Sequence, residues 1–156
     1  MDIVIETPKG SVVKYKYDEK LKLFRLLKAL PEGMAFPFDF GFVPGTKGED
    51  DDPLDIMVIS EFTTVPGAVV DGKLIGCLQA IQKNDGREYR NDRFIAVLTC
   101  SRVFGCMNDI NELPSRIVEE LKLFFANYIH AEGKEIEIKK VLGEKEAFPL
   151  LYKQVE

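Results

Sequence analysis

Apolar and polar positions alternate along residues 2–7 and again along 11–17, with the turn signal Pro8-Lys9-Gly10 between them. That pattern predicts two strands joined as a hairpin. With Lys9 at its centre, Glu6 and Lys14 would project from one face and Lys16 would lie alongside. Residues 21–30 mix apolar and basic positions and settle on neither the strand nor the helix period. Phe36-Pro37-Phe38-Asp39-Phe40-Gly41-Phe42 is aromatic, but its proline and glycine argue against a long helix. Strands are expected at 54–60, 73–82 and 93–100, separated by Pro66-Gly67 and by the polar stretch 83–92. Ile117, Leu121, Phe124, Phe125 and Tyr128 recur at helical spacing, with Pro114 suited to the first turn and Gly133 to the stop. A last strand is expected over 135–142, and a short helix over 144–155, interrupted at Pro149. Several strands, one dominant helix and no βαβ rhythm point to an α+β, mainly β, fold: a small, mostly antiparallel barrel. With neither repeat nor linker, residues 1–156 read as one domain.

Composition narrows the setting without changing that picture. Hydrophobic residues make up 46% of the chain and charged residues 30%, as in ordinary globular proteins. A net charge of −5 argues against a nucleic-acid partner, since phosphate backbones are held by basic surfaces. No apolar run approaches the roughly 20 residues that span a bilayer. The start Met-Asp-Ile-Val-Ile-Glu has no basic n-region or apolar h-region, so a cytoplasmic chain is expected. Cys77, Cys100 and Cys106 read as reduced structural thiols, and the lone His130 as a helix-end residue.

The candidate chemistry lies in one loop. Five carboxylates occupy the seven positions from Glu49 to Asp55, directly before the apolar run Ile56-Met57-Val58-Ile59. Two carboxylates about 6 Å apart repel by about 3 kcal/mol at an effective dielectric of ~20, so this density calls for a cation. A solvated acidic turn is the bland alternative. A calcium loop fails in detail, because Leu54 and Asp55 stand where an EF-hand needs an oxygen ligand and glycine. Magnesium with phosphate needs only one or two protein carboxylates per ion. It would also employ Asp85 and Asp92 from a neighbouring turn, with Lys14, Lys28 and Arg93 for phosphate oxygens. Paired ions could activate a water, with a carboxylate beside it as general base.

Asp50-Asp51-Asp52-Pro53-Leu54-Asp55 matches the Asp-x-Asp-Pro-x-Asp signature of the family I soluble inorganic pyrophosphatases. The resemblance runs through most of the chain. Ile5-Glu6 with Lys14-Tyr15 looks like the family's opening hairpin, and Phe36 to Val43 like its Tyr-Pro-x-x-Tyr-Gly-Tyr element. Asn84-Asp85 and Asp92-Arg93 resemble its second acidic loop. Asn108-Asp109-Ile110, Leu113-Pro114, Phe124-Phe125 and Tyr128 resemble its C-terminal helix. The resemblance implies a closed five-stranded, OB-like antiparallel barrel with flanking helices, and homo-oligomers, often hexamers. It implies Mg²⁺-dependent hydrolysis of pyrophosphate by a metal-activated water, with Mn²⁺ as a substitute. Carried over, Asp50, Asp55, Asp85, Asp92 and Glu6 become metal ligands, with Asn91 the neighbouring candidate for the place of Asp92. Asp52 becomes the catalytic carboxylate, and Lys14, Lys28, Arg93 and Tyr128 bind substrate.

The departures from the family pattern cluster on the phosphate side. Lys28 replaces an arginine, Ile129 a lysine, Phe36 and Phe40 two tyrosines, and Lys16 a glutamate. Two further readings therefore stand beside pyrophosphate hydrolysis. One is a hydrolase of another phosphoanhydride, a nucleotide or polyphosphate; the other is a catalytically silent metal-binding member.

Overall fold

In the computed structural model, which describes residues 1–153, the N-terminal alternation forms β1 (Asp2–Thr7), with Ile3 and Ile5 fully buried. It is followed by β2 (Val13–Asp18), β3 (Leu23–Ala29), β4 (Asp39–Phe42), β5 (Asp55–Ile59) and the long β6 (Val69–Asn84). Then come β7 (Arg87–Arg90), β8 (Arg93–Leu98), a 3₁₀ turn (Ile110–Glu112), α1 (Ser115–Ala131), β9 (Glu135–Gly143) and α2 (Glu144–Tyr152). The ambiguous stretch 21–30 is therefore strand. The final helix ends at Tyr152, and the last two positions of the range expected for it lie outside the described residues.

Five strands close a ring in the order β1-β4-β5-β8-β6, completed by a second pairing of β1 with β6. Four of these pairings are antiparallel, as expected; β5 and β8 run parallel. Both of those strands are buried on two faces. Ile56 and Val58 face one core with Ile3, Ile5, Phe94 and Ala96, and that core also takes in Ala147 and Leu151 of α2. Met57 and Ile59 face a second core with Ile95, Val97 and the α1 residues Leu121, Phe124 and Phe125. Burial on both faces explains the unbroken apolar runs of β5 and β8, which parallel neighbours commonly show. Beyond the ring, β6 continues outward to pair with β7 and β9.

One expectation is corrected. β1 and β2 do not form a hairpin: β1 pairs with β4 and β6, while β2 pairs with β3 in a separate two-stranded sheet. The contact between β1 and β2 is made by side chains. Thr7 Oγ1 accepts from Tyr15 N and donates to Tyr15 O, both at 3.1 Å. Glu6 Oε1 accepts from Tyr17 N at 2.9 Å. The bulge in the register of β1 between Ile5 and Thr7 accompanies this change of partner. No helix among the described residues is long and apolar enough to cross a membrane.

Candidate active site

The acidic loop is held in a fixed shape by its own backbone. Gly48 N donates to Asp52 O at 2.8 Å, Asp52 N to Asp50 Oδ1 at 3.2 Å, and Asp51 takes up a left-handed conformation at φ 66°. Buried Leu54 anchors the far end, its N–H donating to Thr46 Oγ1 and its carbonyl accepting from Val43 N. These constraints turn Asp50, Asp52 and Asp55 toward one cavity of about 250 Å³. Asp51 instead faces outward and pairs with Lys47 at 2.8 Å. Glu49 ties the loop to β7, its Oε2 accepting from Arg90 N at 2.8 Å.

Glu6, Lys14 and Lys16 line the opposite wall. Their common facing was legible in the alternation, although the hairpin inferred from it was wrong. Lys14 is buried, 3.8 Å from Glu6 Oε2, with its ammonium 4.0 Å from the centre of the Phe40 ring. Burial brings its pKa down to about 8, against the opposing pull of Glu6. Lys16 pairs with Asp52 at 2.9 Å. Burial works against its charge, but the Asp52 hydrogen bond and charge hold its pKa above the usual lysine value.

Arg93 enters from the start of β8. It is almost fully buried, stacks 5.5 Å from the Phe125 ring and pairs with Asp55. Its Nη1 donates to Asn91 Oδ1 at 3.2 Å and its Nη2 to Gln82 Oε1 at 3.3 Å, while its Nε is buried without a partner among the described residues. Burial lowers its pKa to about 10, which leaves it charged at neutral pH.

α1 closes the cavity with Phe125, Tyr128, Ile129 and Glu132. Tyr128 donates its hydroxyl to Glu132; burial first, then the Glu132 charge, pushes the phenol well up, so it stays protonated. Lys28 also pairs with Glu132 and lies 4.7 Å over the Tyr128 ring. It therefore lines a small neighbouring cavity behind Tyr128 instead of the main one.

Two expected positions fall elsewhere. Asp85 is at the tip of the β6–β7 hairpin, where it and Gly86 both have positive φ, 48° and 76°. That Asp-Gly pair has the positive φ values of a type I′ turn, and Asp85 does not line the cavity. Asp92 is buried away from the cavity, accepting from Ala80 N at 3.1 Å and from Arg90 Nε at 2.7 Å. Asn91 and Gln82 stand in the cavity in their stead. Asn91 and Asp92 form the two-residue link between β7 and β8, where Asn91 reaches the cavity with Arg93 while Asp92 is held away by Ala80 N and Arg90. Gln82 lies near the end of β6 and is buried, and as a neutral amide in an apolar run it carried no sequence signal of a site residue.

Among the described residues five carboxylates and four cations line the cavity, so their charges are close to balanced. Among the described residues Asp50 makes no ion pair; its partners are the Asp52 amide and Asn91 Nδ2 at 3.4 Å. No three carboxylate, imidazole or thiol groups among the described residues converge on one point. The donor set thus fits a hard cation on the acidic-loop side, where one carboxylate with water oxygens, joined by phosphate oxygens when phosphate is bound, can complete the shell. It does not fit a second, carboxylate-rich position on the side of Gln82 and Asn91.

The family model described as "Inorganic pyrophosphatase" matches residues 3–156. The chain belongs to the inorganic pyrophosphatase family. It is 39% identical to the inorganic pyrophosphatase of Nanoarchaeum equitans, over 92% of this chain and 88% of that one. To the enzyme of that name from Halalkalibacterium halodurans it is 38% identical, over 88% and 82%. It spans a smaller share of the plant relatives, 62% of the length of the maize soluble inorganic pyrophosphatase. The Thermus thermophilus inorganic pyrophosphatase structure superposes with a TM-score of 0.90 at 30% identity, covering 99% of this chain and 88% of that one. The ring of strands flanked by helices is thus the pyrophosphatase fold. The family signature falls on the loop that turns Asp50, Asp52 and Asp55 into the cavity.

Proposed function

We propose that this chain hydrolyses inorganic pyrophosphate to two phosphates with the help of Mg²⁺, as one domain spanning residues 1–156. The observation that supports this most is the convergence of three signature aspartates with Lys14, Arg93 and Tyr128 on one cavity. An acidic loop alone would repel a diphosphate, whereas the facing cations can receive it.

Asp50 is the residue that would hold the cation, whose bound form supplies neutralising charge and lowers the pKa of water. Asp52, beside Asp50 and partly exposed, accepts the proton of the attacking water once Lys16 moves aside. Lys14 and Arg93 hold phosphate oxygens and take up the charge that develops there. Phosphoryl transfer draws mostly on such positioning and electrostatics. Tyr128 keeps its proton and can turn its hydroxyl from Glu132 to phosphate. Lys28 acts through Glu132 and positions Tyr128. Phe36 and Phe40 pack against each other at 5.7 Å, and Phe36 against Phe124 at 5.1 Å, so they serve the wall. That packing counts against a nucleotide base stacking on them.

The Arg93–Asp55 pair and the neutral amides of Gln82 and Asn91 support a second reading, a chain that retains metal and phosphate without turnover. Phosphate release from pyrophosphate, with and without Mg²⁺, separates the two. On the leading reading release is Mg²⁺-dependent and falls by about 10²–10⁴-fold in Asp52→Asn. Equal release by the variant removes Asp52 from its role. Mg²⁺-dependent thermal stabilisation with no release establishes the second reading. The net charge of −5 supports a protein that leaves nucleic acid alone, the free Cys77, Cys100 and Cys106 support a reducing, cytoplasmic setting, and the exposed Leu23, Leu26 and Leu27 support homo-oligomers.

A further inference from the structure

Resting on the reading that the acidic loop takes a divalent cation, we propose that Arg93 is a built-in counter-ion for Asp55. The chain then holds a single divalent ion, at Asp50, before any phosphate arrives. Arg93 is 4% exposed, and its guanidinium is fixed between the Asp55 carboxylate and two amide oxygens. Those contacts set the direction of the amides as well. With Asn91 Oδ1 committed to Arg93, Asn91 Nδ2 must face Asp50 Oδ2 and Gln82 Oε1. The cavity therefore presents N–H donors, not oxygen ligands, on the side of Asp50 nearest β8, and a fixed positive charge beside Asp55. Both repel a second cation there. Arg93 Nε, unpartnered among the described residues, leaves this guanidinium with one buried donor unused. Asn91 is thus the positioning residue that keeps the ion count at one.

The test is a titration with Mn²⁺ alone, free ion being read by electron paramagnetic resonance, on the full chain without phosphate. The parent is expected to bind one Mn²⁺, and Asn91→Asp two, because the new carboxylate faces Asp50 in place of the amide N–H. Gln82→Glu should likewise admit a second ion. Asp50→Asn should reduce the affinity for the first by at least about tenfold. Two or more ions on the parent would overturn the inference while leaving hydrolysis untouched. An unchanged single ion in both Asn91→Asp and Gln82→Glu would overturn the role of the amides. A parent that binds none would instead overturn the metal reading beneath it. Pyrophosphate turnover is measured separately, so failure of the proposed activity is not confused with failure of this count.

Discussion

Asn91, Asp92 and Arg93 are three consecutive residues with three different jobs, because the two-residue link between β7 and β8 turns Asp92 away from its neighbours. Asn91 and Arg93 enter the cavity while Asp92 stitches Arg90 to Ala80. Charge type alone made Asp92 the better candidate ligand; orientation gave the position to its neutral neighbour. Glu132 is a second case in which partners decide behaviour. Burial would raise its pKa, but the Lys28 hydrogen bond and charge, joined by Lys134, hold it below the usual glutamate value. A carboxylate with a lowered folded pKa stabilises the protein above the unfolded value of about 4.3, and loses that contribution as pH falls through the folded one. Glu132→Gln should therefore melt below the parent at pH 7, with the gap closing in scans taken below about pH 4. A gap that stays constant with pH would mean that the Lys28 pair contributes nothing through its charge.

Pairing between elements was the least legible feature. The alternation in β1 and β2 correctly placed Glu6, Lys14 and Lys16 on one wall, yet the two strands never share a backbone ladder. β2 instead turns tightly into β3, where Asp18 Oδ1 accepts from Lys20 N and Leu21 N and Lys22 is left-handed. A short turn of this kind selects its partner locally. Thr7 and Glu6 side chains then supply what the missing β1–β2 ladder would have supplied. Thr7 is fully buried, so Thr7→Val, similar in shape, leaves both the N–H and the C=O of Tyr15 without their protein partner. A loss of about 1–3 kcal/mol is expected in urea unfolding, with faster hydrogen exchange at the Tyr15 amide. No change in either would place the β1–β2 contact elsewhere.

At the scale of the whole molecule, Phe36 joins the ring of strands to α1. Its ring lies 5.1 Å from Phe124 and 5.5 Å from Tyr128, so core packing and the cavity wall are one structure. Phe36→Ala should cost about 3–5 kcal/mol in thermal or urea unfolding. It should also loosen Tyr128, which is detectable as a shift in the pH titration of tyrosine absorbance. Full stability in that variant would separate the core from the site. By itself the sequence determined the acidic loop, the helix, the apolar strands and the family signature. These are local signals: charge spacing in 49–55, helical spacing in 117–128, and apolar runs with nowhere to face but inward. Only the tertiary structure decided that β5 and β8 run parallel, that β2 pairs with β3, and that Asn91 and Gln82 replace Asp92 and Asp85 at the cavity. Those outcomes depend on which residues distant in the chain meet across the ring, and no local period encodes that.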